Sequence, residues 1–282
     1  MTNLLAAIAL ASLQPGPVAG PDTILDVPEE LRDRPARAQT NEPPMPTDYL
    51  PRCLTIAARD PQGALDFAQD WRENRASTDL DNAQSSHCLG LALLELGRVG
   101  EARKAFELAS AEAPEDNLPY AARLSAMAGN AAMAEGDSDA ALPLLDRAGG
   151  MALAAGDKQL AADLRVDLAR LLVRMGQPDD AARALGEARE ADPLDSEAWL
   201  LSATLSRRLE RLGEAQAQIE RAAMLAPRDP QIGLEAGVIA AMSGRAEDAR
   251  ASFASVIAVA PGTPAAQRAQ TYLDRLGEPE GE

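Results

Sequence analysis

From Ala83 onward, apolar residues recur with the period of amphipathic helices, in pairs of segments joined by short polar turns. Each second segment carries an alanine near its start: Ala102, Ala141, Ala181, Ala215 and Ala249, at steps of 39, 40, 34 and 34 residues. Self-similarity on that scale predicts supersecondary units stacked in a row, each burying its apolar face against its neighbours. Twelve residues before each alanine sits a small residue: Gly90, Gly129, Ala169, Ala203 or Gly237. Four residues after it comes a large one: Phe106, Leu145, Leu185, Ile219 or Phe253. Small residues on both helices permit a close antiparallel crossing, and bulk one turn further on fills the gap on the same face. On this frame Ala181 crosses against Ala169, while Glu187 lies on an outer face. Gly97, Gly136, Gly176 and Gly244 fall between the paired segments, where a left-handed helix cap is expected. Pro114, Pro193, Pro227 and Pro261 stop the second helices.

In this combination the chain resembles the tetratricopeptide-repeat family. Over 83–116, Leu89, Gly90, Gly97, Ala102, Phe106, Ala109 and Pro114 follow the family's Leu-Gly, Ala, aromatic and Pro signature. Residues 162–195, 196–229 and 230–263 repeat it, with Trp199 at the family's Trp position. There are departures. Glu210 replaces the turn glycine, Val256 replaces a small residue, and the unit at 122–161 lacks the proline and runs a longer second helix through Leu153. The resemblance implies an all-α, right-handed α-solenoid. Its five repeats would cover 83–263, preceded by a degenerate helical unit at 49–82 with Asp60-Pro61 at its turn, Ala64 at its crossing and Trp71 where a small residue is expected. An amphipathic helix at 264–277 (Ala265, Ala269, Tyr272, Leu273, Leu276) would cap the last repeat, leaving a disordered acidic tail at 278–282.

Composition narrows the function. Aromatic residues are 3% of the chain while 46% is hydrophobic, which suits thin helical layers better than a thick core around a catalytic cleft. With 27 basic against 44 acidic residues the net charge is −17, so a phosphate backbone would be repelled and no nucleic-acid partner is expected. Candidate chemistry is sparse. His87 is the single histidine, so no His-pair metal site can form, and its neighbour Cys88 points roughly 100° away on the same helix. Asp137-Ser138-Asp139 resembles the start of a calcium loop, but a helix begins at once and leaves no room for further ligands. No catalytic residue, metal site or cofactor is expected.

The N-terminus reads differently from the rest. Leu4 to Leu13 form an apolar run too short to cross a bilayer, followed by Pro15, Pro17 and Pro21. Residues 1–20 are therefore expected to be a signal peptide and 21–48 a Pro-rich disordered linker, with the mature protein exported to the periplasm. The alternative is an apolar terminus on a cytoplasmic protein, since the segment lacks Lys and Arg. No cysteine lies near it for a lipid anchor, and no other segment is long and apolar enough to span a membrane.

Two further readings follow from the resemblance. Cys53 and Cys88 fall on the first helices of adjacent units, offset axially by about 4.5 Å in the family's frame. In an oxidising compartment they would form a disulfide clamping the N-terminal unit; otherwise they are two buried thiols. The family binds partners in a concave groove lined by its first helices. Carried over, that groove places Arg123 and Asn130, Arg170 and Arg174, and Thr204, Arg207 and Arg208 at its centre, with Leu91, Leu94, Val238 and Met242 at its ends. Such a groove suits an acidic peptide or a helix with one acidic face. The competing reading is that these arginines pair with neighbours such as Asp163 and Glu197. The leading function is a non-enzymatic scaffold or adaptor in the bacterial cell envelope. An obligate subunit of a larger enzyme or secretion assembly, and a cytoplasmic adaptor, are the alternatives.

Overall fold

The computed structural model describes residues 48–277, so the expected signal peptide, the linker up to residue 47 and the acidic tail lie outside the described residues. Within them all thirteen elements are helices. They form six antiparallel hairpins and a closing helix: α1 (Tyr49–Ala57) with α2 (Pro61–Asn74), α3 (Asp79–Glu95) with α4 (Val99–Glu112), α5 (Leu118–Glu135) with α6 (Ser138–Ala154), α7 (Lys158–Arg174) with α8 (Pro178–Ala191), α9 (Ser196–Arg208) with α10 (Leu212–Leu225), α11 (Pro230–Met242) with α12 (Ala246–Val259), and α13 (Pro264–Leu276). Each hairpin packs on the next, giving an α-solenoid. First helices touch directly towards the two ends of the stack, as α1 does α3, α9 does α11 and α11 does α13, and the face they line is the first-helix wall.

The turns show why the chain folds back every seventeen residues or so. Arg98, Asp137, Gln177, Arg211 and Arg245 each donate a backbone N–H to the carbonyl five residues earlier, on Leu93, Ala132, Leu172, Ser206 and Ala240. That bond needs a left-handed residue just before the donor. Gly97, Gly136, Gly176 and Gly244 supply it with φ between 73° and 81°. In the fourth full hairpin Glu210 is forced into the same conformation at φ 60°. Side-chain caps start the helices at the other end, from Asp60, Asp137, Asp157, Asp195, Asp229 and Thr263. Thr78 and Asp81 form a reciprocal capping box, which starts α3 at Asp79, four residues before the repeat frame begins at Ala83.

The five repeat alanines are completely buried. The small residue on each first helix serves a more specific purpose than a close backbone crossing: at Gly90 and Gly237 it receives the ring of Phe106 or Phe253, and at Gly129 the branched end of Leu145. At the N-terminal end Trp71 is buried between Tyr49 and Phe67, ring centroids 5.1 and 6.4 Å away, over the short helix α1. Arg72 ties this unit onward, donating to Ser86 and to both oxygens of Glu112 on α4. The hydrogen bond from Arg72 holds the Glu112 carboxyl below the usual carboxylate range. At the other end Tyr272 of α13 stacks on Phe253 at 5.2 Å, and Ala265, Ala266 and Ala269 are buried.

Glu187 is part-exposed on α8 but is not a free surface residue, because it pairs with a buried cation. Arg165, only 9% exposed, lies between Glu187 at 2.9 Å and Asp146 at 2.5 Å, so it joins α7 to both α6 and α8. Gly149 makes the room, since a Cβ there would fall 3.0 Å from the guanidinium. A buried cation of this kind depends on its carboxylates, because removing them leaves charge uncompensated in low dielectric.

Candidate functional site

The first-helix wall carries every residue the sequence assigned to a groove, and the structure divides them into two groups. Arg123 on α5 lies 3.7 Å from Asp157. Arg170, on α7, donates to Asp167 at 2.9 Å and, in a shorter contact, to Glu197 at the start of α9. Arg207 meets Glu235 of α11 at 2.6 Å, with both side chains largely buried. Arg170 and Arg207 are internally neutralised and join one unit to the next, as the competing reading expected for Arg170 and Glu197, while Arg123 makes only a longer, exposed contact of the same kind. Arg174 and Arg208 are different. Both are exposed, and neither makes an ion pair among the described residues. The Arg174 guanidinium lies against Met133 Sδ on the preceding first helix. Asn130 is exposed on α5, and Thr204 is half-buried on α9.

Arg174 and Arg208 flank a cleft between α7 and α9 with a volume of about 310 Å³. Its floor is apolar, made by Ala169, Val173, Leu185, Leu201 and Leu205, with Thr204 as the polar exception. Ala169 replaces the glycine found in three other units, and Leu185 stands where two of them carry a phenylalanine. Guanidinium groups at the rim of an apolar cleft can bind carboxylates with two parallel hydrogen bonds while the cleft takes an apolar side chain.

One part-buried polar pair on this wall was not anticipated. The Tyr120 hydroxyl lies 3.1 Å from His87 Nδ1, and the His87 ring stands edge-on to Phe106. Burial lowers the His87 pKa to about 4 and raises that of Tyr120, so both are neutral at physiological pH. The two residues are separated by 33 positions, about one repeat, which is the signal that could have found them.

At the N-terminal end of the wall, Cys53 and Cys88 are both completely buried, with a Cα–Cα separation of 6.0 Å. That is within the span of a disulfide. Among the described residues no group of His, Cys, Asp or Glu is placed to hold a metal ion. No described helix is long and apolar enough to cross a membrane.

Stacked hairpins with an open, side-chain-lined wall define an interaction scaffold: every repeat offers surface, and contacts between repeats hold it rigid. Over residues 166–231 and 201–266 the sequence matches the tetratricopeptide-repeat family. Solved structures share the fold at low identity. PilF of Pseudomonas aeruginosa is 16% identical with a TM-score of 0.57, over 79% of this chain and 96% of its own. BtubC of P. vanneervenii is 16% identical with a TM-score of 0.57, over 83% and 94%. YrrB, described as a tetratricopeptide-repeat protein with an unusual peptide-binding site, is 22% identical with a TM-score of 0.51, over 72% and 96%. No curated protein matches the sequence.

Proposed function

We propose that this protein is a non-enzymatic adaptor of the bacterial cell envelope that holds an acidic segment of a partner protein in the groove formed by its first helices. The observation that carries this reading is the state of Arg174 and Arg208. They are exposed cations without an ion pair among the described residues, on the rim of an apolar cleft, in a chain of net charge −17. The narrowed site is these two arginines with Thr204 and the cleft floor; Arg123, Arg170 and Arg207 support it by joining the repeats. Export is supported by the short apolar run at Leu4 to Leu13 and by a buried cysteine pair at disulfide separation, which an oxidising compartment would link.

The test is capture of partners from the envelope of the native host, comparing the wild-type chain with the double reversal Arg174→Glu and Arg208→Glu. A partner bound through this site is expected to be retained at least tenfold less by the double variant, and less by wild type as salt rises. Helicity and melting temperature should be unchanged, since both side chains are exposed. Equal retention by the two proteins, indifferent to salt, would remove the groove arginines from the function.

A further inference from the structure

The side chains around the α7–α9 cleft fall on two matching stripes. On α7 the stripe is Asp163, Asp167, Arg170 and Arg174; on α9, 34 residues later at each position, it is Glu197, Leu201, Thr204 and Arg208. Spacings of four, three and four keep each stripe on one helix face. Carboxylates therefore gather at the N-terminal ends of the two helices and guanidinium groups at the C-terminal ends. Arg170, in the middle, spans the two by its pairs with Asp167 and Glu197. The apolar floor of Ala169, Val173, Leu201 and Leu205 adjoins this middle and the basic end.

The helix macrodipole accounts for part of this polarity, because it favours anions at helix starts and cations at helix ends. It does not account for the amount of negative charge at the acidic end. Burial, and then the neighbouring Asp195, Asp167, Glu197 and Asp192, hold the Asp163 carboxyl above the usual carboxylate range. Asp163 has no cationic partner among the described residues, just as Arg174 and Arg208 have no anionic one. The basic end of the cleft, at Arg174 and Arg208, and the helix starts beyond its other end, at Asp163, thus each carry charge that no ion pair in the described chain neutralises, and the two signs differ.

We infer that the cleft recognises an amphipathic helix of a partner protein, with carboxylates along one edge of its apolar stripe and lysines or arginines along the other. The inference rests on the reading of this wall as the binding face and specifies its ligand. The scale of the two stripes fits a helix laid across them. From Asp163 to Arg174 is eleven residues, or about 16 Å of helix, and a helix with its side chains is about 10–12 Å across. Long flanking side chains close the remainder on both sides at once, so one helix lying across the two stripes presents an edge to each charged end. A ligand with carboxylates on both edges would satisfy Arg174 and Arg208 but meet Asp163, Asp195 and Glu197 with like charge, which costs affinity and selects against it.

Three synthetic helical peptides test this, sharing one leucine stripe and differing at their edges: Glu on one and Lys on the other, Glu on both, or Lys on both. Binding to the full chain is read by fluorescence anisotropy at physiological salt. The mixed-edge peptide is expected to bind at least tenfold tighter than either single-sign peptide. Asp163→Lys should weaken it by about tenfold while tightening the all-Glu peptide, with circular dichroism unchanged. An all-Glu peptide that binds as tightly as the mixed one would overturn this inference and leave the simpler basic groove standing. Tightest binding of the all-Lys peptide would overturn both. If none of the three binds while the native partner is still lost on reversal of Arg174 and Arg208, the ligand is not such a helix and this inference alone fails.

Discussion

The ring of Phe106 occupies the space that a side chain at Gly90 would fill: a Cβ built there would lie 2.5 Å from the ring edge. Gly237 stands in the same relation to Phe253, closer still. The glycine on the first helix and the aromatic on the second are therefore one packing unit, and neither is free to change alone.

Gly90→Ala is accordingly expected to destabilise the protein by about 1–3 kcal/mol, because the ring is completely buried and must be displaced. Gly150→Ala is the matched control, also inside a helix but with nothing within 4 Å of its Cβ. There the ordinary helix preference should appear unopposed, as a gain of about 0.5–1 kcal/mol. Urea melts of the two variants check the pair. Stabilisation by both would mean that Phe106 yields at no cost.

The repeat itself was legible in the sequence because its determinants are local. The spacing of Ala102, Ala141, Ala181, Ala215 and Ala249 marks helix faces, and Gly97 to Gly244 mark the turns. What escaped are relations between helices, within a unit and from one unit to the next. Periodicity placed Glu187 on an outer face, and nothing in its own helix shows that Arg165 reaches it across the hairpin. The same limit applied to the groove. The arginines were found by their spacing, but which of them are neutralised depends on Glu197 and Glu235, each in the following unit. Local signals were missed as well: Thr78 and Asp81 spell a capping box that would have set the start of α3 at Asp79.

Glu210 shows what a departure from the repeat costs. It takes the left-handed cap conformation, φ 60°, that glycine adopts at the equivalent turns. An L-residue with a side chain is disfavoured there by contact between its Cβ and the backbone. Glu210→Gly should therefore raise stability by about 0.5–1 kcal/mol, and Gly176→Ala, at φ 73°, should lower it by a similar amount. Thermal melts with both variants decide the matter. A destabilised Glu210→Gly protein would show that the glutamate side chain contributes more than its backbone strain.

Cys53 and Cys88 close a loop of 35 residues across the first two units. Protein made in an oxidising compartment is expected to yield the linked peptide pair on mapping without reductant. Reduction should then lower stability by roughly 3–4 kcal/mol, the loop-entropy value for a cross-link of that span. If both thiols alkylate as soon as the unreduced chain is denatured, they are core packing and the support they lend to export is withdrawn.

His87 makes the N-terminal half of the wall sensitive to mild acid. Its ring is held by packing against Phe106 and by the Tyr120 hydroxyl, and burial depresses its pKa from 6.5 to about 4. The sign follows from proton uptake. Above pH 6.5 the ring is neutral in folded and unfolded chains alike, and titration contributes nothing. Between 6.5 and about 4 the unfolded chain takes up a proton that the folded chain refuses, so stability falls as pH falls. A depression of this size corresponds to a loss of about 3 kcal/mol once the pH is below both values. Carboxylates with lowered pKa, such as Glu112, also lose stability on acidification, but at lower pH and in any variant that retains them. The informative quantity is thus the difference between wild type and His87→Gln, whose amide can still meet the Tyr120 hydroxyl but does not titrate. Measured by urea denaturation at half-unit steps, the stability of wild type relative to the variant should be flat above pH 6.5 and decline steadily from 6.5 towards 4. Parallel curves through that window would show that water reaches the imidazole and that its charge is accommodated in the folded chain.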